Sequence, residues 1–230
     1  MAPVISDMSI SPDGYVTGPN DSRGNPFGDG AGMLHDWMFD AATDEDRAIL
    51  QALVDDTGAV VLGRESFDKN EGDGGWGDGG PLGDTPCFVL THHKPTISYP
   101  PVFRFVTDGV VSAIEQAKVT AGEKVVHLFG ATIMQQALPL GLVDEIRVHV
   151  IPVLLGAGTP LFGTLDSSIT LERTHAQPTP RCDPPRLSRD PVVADSLQTA
   201  QLSRDASHIR RPVFGPKPYR KAMRCARRPW

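Results

Sequence analysis

The stretch Lys124–Leu138, KVVHLFGATIMQQAL, decides the fold of this chain. Its apolar run, Val125–Phe129, predicts a buried strand, and the small residues Gly130–Ala131 predict a narrow turn into a short helix that begins at Thr132. Thr132 and Gln135 have the spacing of a capping box. A strand that leads through small residues into a helix exposes backbone N–H groups that can bind a phosphate. An ordinary strand-to-helix connection explains the same residues, so the rest of the chain must decide.

Two further short apolar strands end in residues suited to an anion. Gly63 and Arg64 follow one of them, where glycine permits close approach and arginine can bind a phosphate through two hydrogen bonds. Thr91 and His92 follow the next strand and begin a polar, basic cluster in an acidic part of the chain. A surface salt bridge explains the first pair equally well, and a solvated turn explains the second.

Strands alternate with helices along the chain, which predicts an α/β fold with a mainly parallel central sheet and helices on both faces. Thr43 is predicted to begin the first long helix, with a buried stripe that includes Val54, and Asp108 is predicted to begin another. Ligands bind beyond the carboxyl ends of the strands in such sheets. Three strands here end in candidate phosphate contacts, and this convergence predicts a phosphorylated nucleotide cofactor.

The segment Tyr15–Gly32 is rich in Gly, Pro, Asn and Asp, and we expect a long functional loop there. Trp37 follows it; core packing and an aromatic wall over a planar substrate are equally good interpretations. Near the other end, Glu145–Leu155 is predicted to be a long strand on which His149 is structural, and Ser168–Arg173 one more strand.

Several classes of function are disfavoured. No apolar run reaches the roughly 18 residues that a membrane span needs, and the amino terminus has no secretory signal pattern, so we expect a cytoplasmic protein. The three cysteines lie far apart and form no CxxC pair, and a Walker lysine motif, a GxSxG motif and a zinc deaminase signature are absent. The glycines near residue 74 lack the helix of a dinucleotide fingerprint, and the acidic residues beside them lack the glutamate of a calcium loop, so no metal is predicted.

The charge divides the chain near Arg173. Residues 174–230 hold ten Arg and two Lys against four Asp, a net charge of +8, whereas the whole chain of 230 residues carries −6. The same segment holds 9 of the 21 prolines and keeps no helical or strand period. We therefore predict a folded domain over residues 1–173 and a basic, disordered or frameshift-derived tail over residues 174–230.

The order of these motifs resembles one family. It is carried by Ser11–Gly14, by GRESF from Gly63, by FVTDG at Phe105–Gly109, by the turn after Phe129, and by GLVDEIRVHVIPVLLGAGTPLF at Gly141–Phe162. Together they resemble the dihydrofolate reductase superfamily, and more closely the reductase domain of bacterial riboflavin-biosynthesis deaminase-reductases. The resemblance covers nearly all of residues 1–173 in order.

The resemblance implies an NADPH-binding fold, hydride transfer to a pyrimidine- or pterin-like substrate, and a homodimer. It implies that the adenosine phosphates contact Gly63, Arg64, Thr91 and His92. The pyrophosphate turn would be formed by Gly130, Ala131 and Thr132. The substrate site is expected at Asp13 and Trp37, close to the loop that follows the first strand.

Two departures from the family pattern bear on function. Phe129 stands where most relatives have glycine. The acid that classical dihydrofolate reductases carry on the first long helix has no counterpart, since Asp40, Asp44 and Glu45 lie nearby but match no motif. No catalytic acid is assigned, and a related reduction is favoured over dihydrofolate reduction itself. A nucleotide-binding relative without catalysis and a nucleic-acid-binding protein with a basic arm are the alternatives.

Overall fold

A computed structural model of the chain describes residues 1–39, 42–71, 76 and 79–176. From residue 177 onward the predicted tail lies outside the described residues, as does Asp40. Within the described ranges, every helix is too short or too polar to cross a membrane.

The centre of the fold is a sheet of six strands, all parallel, which confirms the α/β prediction. Its strands, in chain order, are β1 (Val4–Ile10), β3 (Thr57–Gly63), β4 (Cys87–Leu90), β5 (Phe103–Val106), β6 (Val125–Phe129) and β7 (Glu145–Val150). Their spatial order is β5-β4-β3-β6-β1-β7. A separate antiparallel pair joins β2 (Tyr15–Thr17) to β8 (Thr159–Pro160). β2 lies within Tyr15–Gly32, so the prediction that this whole stretch is a loop is corrected at its first three residues.

Helices cover both faces of the sheet. They are α1 (Asp44–Asp56), α2 (Arg64–Asn70), α3 (Gly109–Ala121) and α4 (Ala131–Ala137), with 3-10 helices at Gly32–Met38 and Leu138–Leu140. One face buries Val61, Val126 and Leu128 against α3 and α4. The opposite face buries Val60 and Leu62 against Phe67 of α2. These two apolar layers hold the strands in place because each buried aliphatic side chain contributes roughly 1.5–3 kcal/mol.

The start of α1 follows the sequence prediction. The Thr43 hydroxyl accepts a hydrogen bond from the Asp46 N–H at 3.1 Å, and the Asp46 carboxylate accepts one from the Thr43 N–H at 2.8 Å. This reciprocal pair is a capping box, which satisfies two otherwise unpaired donors. The predicted buried stripe is wrong at one position, since Val54 is 42% exposed on the outer side of the helix.

The predicted capping box at Thr132 is wrong. The helix begins one residue earlier, at Ala131, so Thr132 lies inside its first turn. The residue that precedes the helix is Gly130, which has no side chain to cap it. Gln135 instead donates to the carbonyl oxygen of Pro160 at 2.7 Å, and so ties α4 to β8.

Two strand predictions near the end of the domain are also corrected. β7 ends at Val150, although the Ile151 N–H still donates to the Ile10 carbonyl at 2.8 Å, because the chain then reaches Pro152, which has no N–H for the ladder. Ser168–Arg173 forms no strand. Its apolar side chains are largely exposed, Leu171 at 61%, so this segment gains little from sheet pairing.

Candidate functional site

The three predicted phosphate-binding segments lie side by side. β4, β3 and β6 are consecutive in the sheet, with Gly63 paired to Leu90 and Leu62 paired to Phe129. Because these strands are parallel, the residues that follow them emerge at one edge. Between β3 and β6 the connecting helices also change from one face of the sheet to the other, since α2 lies on one face and α4 on the opposite face. Open α/β sheets bind ligands at such a position.

Gly130 has a conformation that requires glycine. Its φ is +100° and its ψ is 147°, a region that residues with a side chain rarely adopt. A Cβ added there would lie 2.8 Å from the hydroxyl oxygen of Ser66, in the first turn of α2. The start of α2 and the turn before α4 therefore approach each other closely, and the missing side chain leaves a backbone cradle between them.

Arg64 is the first residue of α2, a helix that sequence reasoning missed. Its Nε donates to the Asp68 carboxylate at 2.8 Å, and its guanidinium lies 5.8 Å from the centre of the Phe67 ring. The side chain remains 35% exposed at the edge of the sheet. An anion that approaches Arg64 would therefore compete with a partly solvated ion pair, which is worth about 1 kcal/mol or less.

Thr91 and His92 have different environments. Thr91 is 8% exposed, and its hydroxyl donates to the His93 carbonyl oxygen at 3.0 Å, so it closes the turn after β4. His92 is exposed at that turn, and Thr132 is exposed on α4. Gly63 has an ordinary φ of −74°, and a Cβ there would meet Ile133 at 3.5 Å, an acceptable contact. Its glycine is therefore not explained by packing.

Asp13, a predicted substrate-binding residue, anchors a distant turn. Its carboxylate accepts hydrogen bonds from the backbone N–H groups of Gly156 at 2.7 Å and Leu155 at 3.3 Å. Hydrogen bonds from the side chain of Ser11 and from the Gly156 N–H lower the pKa of Asp13 below its ordinary value. The acid therefore stays ionised at neutral pH and holds the chain after β7 against the turn after β1.

Trp37, the other predicted substrate-binding residue, contacts side chains to which sequence reasoning gave no role at the site. Its indole N–H donates to the Ser9 hydroxyl at 2.8 Å, and its ring lies against the His149 imidazole with 4.5 Å between centres. His149 in turn pairs with Asp7, with 2.8 Å between Nε2 and the carboxylate oxygen. The only signal in the sequence is that polar residues occupy alternate positions of β1, which places Asp7 and Ser9 on one face of the sheet.

The side chain of Phe129 lies at the end of β6, on the face opposite α3 and α4. It packs at the border of the cluster around Phe67, with its ring centre 6.3 Å from that of Trp76. A large ring therefore stands beside Gly130 at the edge where the three segments meet.

The loop over residues 18–30 is fastened to α2. Lys69 pairs with Asp21 at 2.5 Å and with Glu65 at 2.7 Å, and Arg23 donates to the Glu71 carbonyl oxygen at 2.9 Å. The side chains of Lys69 and Asp21 are only 17% and 21% exposed, so water screens this pair less than an exposed one.

Replacing Lys69 with Met should loosen this loop without unfolding the domain. We expect amide hydrogen exchange within residues 20–29 to accelerate about fivefold, since a partly buried pair contributes on the order of 1 kcal/mol to local stability. Mass spectrometry of exchanged peptides would measure it. The matched control is Arg47→Met, which removes the exposed Arg47–Asp44 pair; equal loop protection in both variants would show that Lys69 does not hold the loop.

Comparison with known proteins agrees with this architecture. The family model described as the RibD C-terminal domain matches residues 2–181. An uncharacterized protein of Bacillus subtilis (strain 168), YyaP, is 25% identical over 186 residues, which are 76% of this chain and 87% of YyaP.

Solved structures also share this fold. One, from Shewanella sp. PV-4, is named for riboflavin biosynthesis; it is 25% identical with a TM-score of 0.57, over 77% of this chain and 92% of that one. The other, a pyrimidine reductase-like protein from Corynebacterium diphtheriae, is 15% identical with a TM-score of 0.50, over 78% of this chain and 88% of that one. At 15% identity, the similarity to the Corynebacterium protein shows a shared fold and no more.

Proposed function

The chain belongs to the RibD C-terminal domain family, and on this basis we propose that it is an NADPH-dependent reductase that transfers hydride to a pyrimidine- or pterin-like small molecule. The reaction would be of the 5-amino-6-(5-phosphoribosylamino)uracil reductase type. The observation that carries the proposal is the alignment of three candidate phosphate contacts on the consecutive strands β4, β3 and β6.

The spacing of these strands suits a dinucleotide. Neighbouring strands lie about 4.8 Å apart, so the three strand ends span roughly 10 Å along the edge of the sheet. The backbone cradle at Gly130, which a Cβ would fill, suits a pyrophosphate that must approach the main chain closely. Arg64, Thr91 and His92 lie toward one end of this line, where the phosphates of the adenosine half would bind.

The bound cofactor supplies the hydride, and this chain has to hold the two reactants together. Arg64 would neutralise phosphate charge, and the first N–H groups of α4, which have no partner within the helix, would donate to the pyrophosphate. β1 lies next to β6, so the reacting end of the cofactor would reach the side of the sheet that bears Trp37. Positioning of this kind lowers the barrier by removing the entropic cost of bringing reactants together.

Titration of NADPH into the full-length protein by calorimetry tests the proposal. We expect micromolar binding by the natural chain and a dissociation constant about 10 to 100 times larger for Arg64→Ala, because a hydrogen bond to a charged group contributes about 1.5–3 kcal/mol. The matched control is Arg104→Ala, which removes a guanidinium that lies 5.2 Å from the centre of the Phe88 ring and bonds Thr120. Absence of binding by a folded sample, or equal losses in both variants, would contradict the proposal.

A second candidate is a nucleotide-binding relative without catalysis, favoured by the ring of Phe129 beside the Gly130 cradle. It predicts nucleotide binding without NADPH oxidation by any pyrimidine or pterin substrate. Dihydrofolate is a further candidate substrate. It is disfavoured because the chain has no counterpart of the acid that classical dihydrofolate reductases carry on the first long helix. We also propose that the protein is cytoplasmic and that its basic tail does not bind nucleic acid.

A homodimer is proposed through β7. Within the described residues this strand pairs only with β1, so its other edge has no partner strand. Two of its apolar side chains, Val148 and Val150, are 43% and 36% exposed. An exposed edge strand with apolar side chains readily pairs with another chain.

A further inference from the structure

The sheet face beneath Trp37 carries an acid–base pair that the proposed cofactor contacts do not use. Asp7 of β1 and His149 of β7 lie 2.8 Å apart, with side chains 9% and 18% exposed. Their register is close, since Ser9 stands opposite His149 and Asp7 opposite Arg147. Burying a carboxylate and an imidazole on a sheet face costs desolvation energy that aliphatic side chains would not. A largely buried carboxylate paired with an imidazole is a combination often found at functional sites.

A second histidine extends the group. His127 of β6 is 3% exposed, and its Nε2 lies 3.4 Å from the main-chain oxygen of Asp7. Its Nδ1 is buried and has no hydrogen-bond partner among the described residues. Burial lowers the pKa of His127, and the nearby Asp7 carboxylate opposes that effect. His127 is therefore neutral near pH 7, and a buried nitrogen without a hydrogen-bond partner requires an explanation, of which a catalytic role and a bound water are two.

The position of the pair fits the reacting end of the proposed site. Ile5 pairs with His127 across β1 and β6, so Asp7, two residues further, lies on the same face. That face is also the one on which Phe129 ends β6, beside the Gly130 cradle. The Trp37 ring lies against the imidazole of His149, and its indole N–H donates a hydrogen bond to the Ser9 hydroxyl. One predicted substrate-binding residue therefore contacts the pair directly.

We propose that His149, held in place by Asp7, donates the proton that accompanies hydride transfer. The inference rests on the proposed reductase function. The hydride adds to the carbon of a substrate C=N group and forms a C–H bond, while the π electrons move to nitrogen. Nitrogen takes the proton from His149 and forms an N–H bond, and the neutral imidazole regains a proton from solvent. Because Asp7 engages Nε2, the donating atom is Nδ1, and Asp7 is a positioning residue.

Other charged groups lie on the same face of the sheet as His149. On the same strand Arg147 pairs with Glu145 at 3.0 Å, and Asp56 at the end of α1 acts electrostatically on Arg147. Asp7 contacts His149 from β1, and His127 lies two strands away on β6. Glu145 is 42% exposed and bonds Arg147 rather than His149, so it provides a control on the same face of the same strand.

The test compares His149→Gln, Asp7→Asn and Asp7→Glu with Glu145→Gln in the full-length protein. NADPH binding is measured by calorimetry, and kcat and KM are measured with 5-amino-6-(5-phosphoribosylamino)uracil as the probe. We expect every variant to bind NADPH as the natural chain does. Loss of a general acid should lower kcat by about 100-fold in His149→Gln.

The Asp7 variants separate positioning from packing. Asp7→Asn keeps the shape of the side chain but replaces a charge-assisted hydrogen bond with a neutral one, so the imidazole is held less firmly. We expect kcat to fall about tenfold with the KM for the probe unchanged, and Asp7→Glu to restore kcat in part. A purely structural role would lower the melting temperature and leave the kcat of the folded variant unchanged. Should Asp7→Asn fail to fold, His149→Gln and His149→Asn decide the question through their kcat.

The outcomes distinguish the two proposals. A natural chain that binds no NADPH or does not reduce the probe overturns the proposed function and this assignment with it. Reduction by the natural chain with kcat unchanged in His149→Gln overturns only the assignment of the proton donor.

Discussion

Gly130→Ala should destabilise the domain by about 2–3 kcal/mol and abolish NADPH binding at micromolar concentrations. The residue has a φ of +100°, where an L side chain is strained, and the added Cβ would lie 2.8 Å from the Ser66 hydroxyl oxygen. Strain of this kind costs of order 1–3 kcal/mol, and the contact with Ser66 adds to it. The methyl group would also fill the cradle proposed for the pyrophosphate.

Two companion variants isolate the causes. Gly141→Ala places a methyl group at another positive φ, +66°, with no atom within 4 Å of the new Cβ. It should cost only about 1 kcal/mol, the ordinary penalty of the left-handed region, and leave NADPH binding unchanged. Combining Gly130→Ala with Ser66→Ala removes the contact, so stability should recover in part while binding does not.

Urea unfolding and calorimetric titration on the same samples give both quantities. A loss of about 2–3 kcal/mol corresponds to roughly 4–12 °C in melting temperature for a chain of this size. Equal stability of Gly130→Ala and Gly141→Ala would mean that Ser66 moves away without cost. Undiminished NADPH binding by Gly130→Ala would remove the turn from the proposed site.

The sheet was predictable because its strands are locally apolar and separated by clear turn residues. β6 has the bounds that the sequence predicts, Val125–Phe129, and the parallel arrangement follows from the intervening helices. The closeness of the Gly63, Thr91 and Gly130 segments also followed, since parallel strands bring their carboxyl ends to one edge.

The helix α2 was missed because it is short and lacks a periodic apolar pattern. Seven residues give two turns, and Phe67 is the single buried residue among them. Tertiary packing of that ring against Tyr99, Phe103 and Phe105 stabilises the helix more than its own propensity does. Those partners lie more than 30 residues away, beyond the reach of a local pattern.

The pairing of Asp7 with His149 was missed for a related reason. The two residues are 142 positions apart, and their proximity depends on the register of β1 against β7. Sequence placed His149 on a strand but could not say which strand lies beside it. Trp37 is 4% exposed, as core packing predicts, and its role as an aromatic wall over a substrate stays a prediction.

The domain should lose stability as the pH falls from about 6.5 to 4, before its carboxylates are protonated. Burial lowers the pKa of His35 from 6.5 to about 4, a change that a hydrogen bond with the backbone of Ala31 only partly opposes. Burial also lowers the pKa of His127. In the unfolded chain both imidazoles bind protons near pH 6.5, whereas in the folded domain they remain neutral. The unfolded state therefore binds more protons over this range, and the free energy of unfolding decreases as pH falls.

The expected size comes from the shift of His35 alone. A pKa displaced by about 2.5 units corresponds to roughly 3 kcal/mol, which is lost as the pH falls to about 4. Asp13 acts over a different range: its pKa is lowered from 3.8, so the stability it contributes is present at higher pH and disappears only below about that value. Urea unfolding at pH 7.5, 6 and 5 therefore reports on the histidines and not on Asp13.

The substitution His35→Phe tests the assignment. It keeps a ring next to Phe27, whose ring centre lies 4.0 Å from that of His35, and removes the titrating group. The loss of stability between pH 7.5 and 5 should fall by more than half in this variant, while His92→Gln, which alters an exposed imidazole, should lose as much as the natural chain. The remaining pH dependence of His35→Phe would belong to His127, the histidine beside Asp7. If His35→Phe and the natural chain lost stability equally between these pH values, His35 would not be the group that is protonated on unfolding.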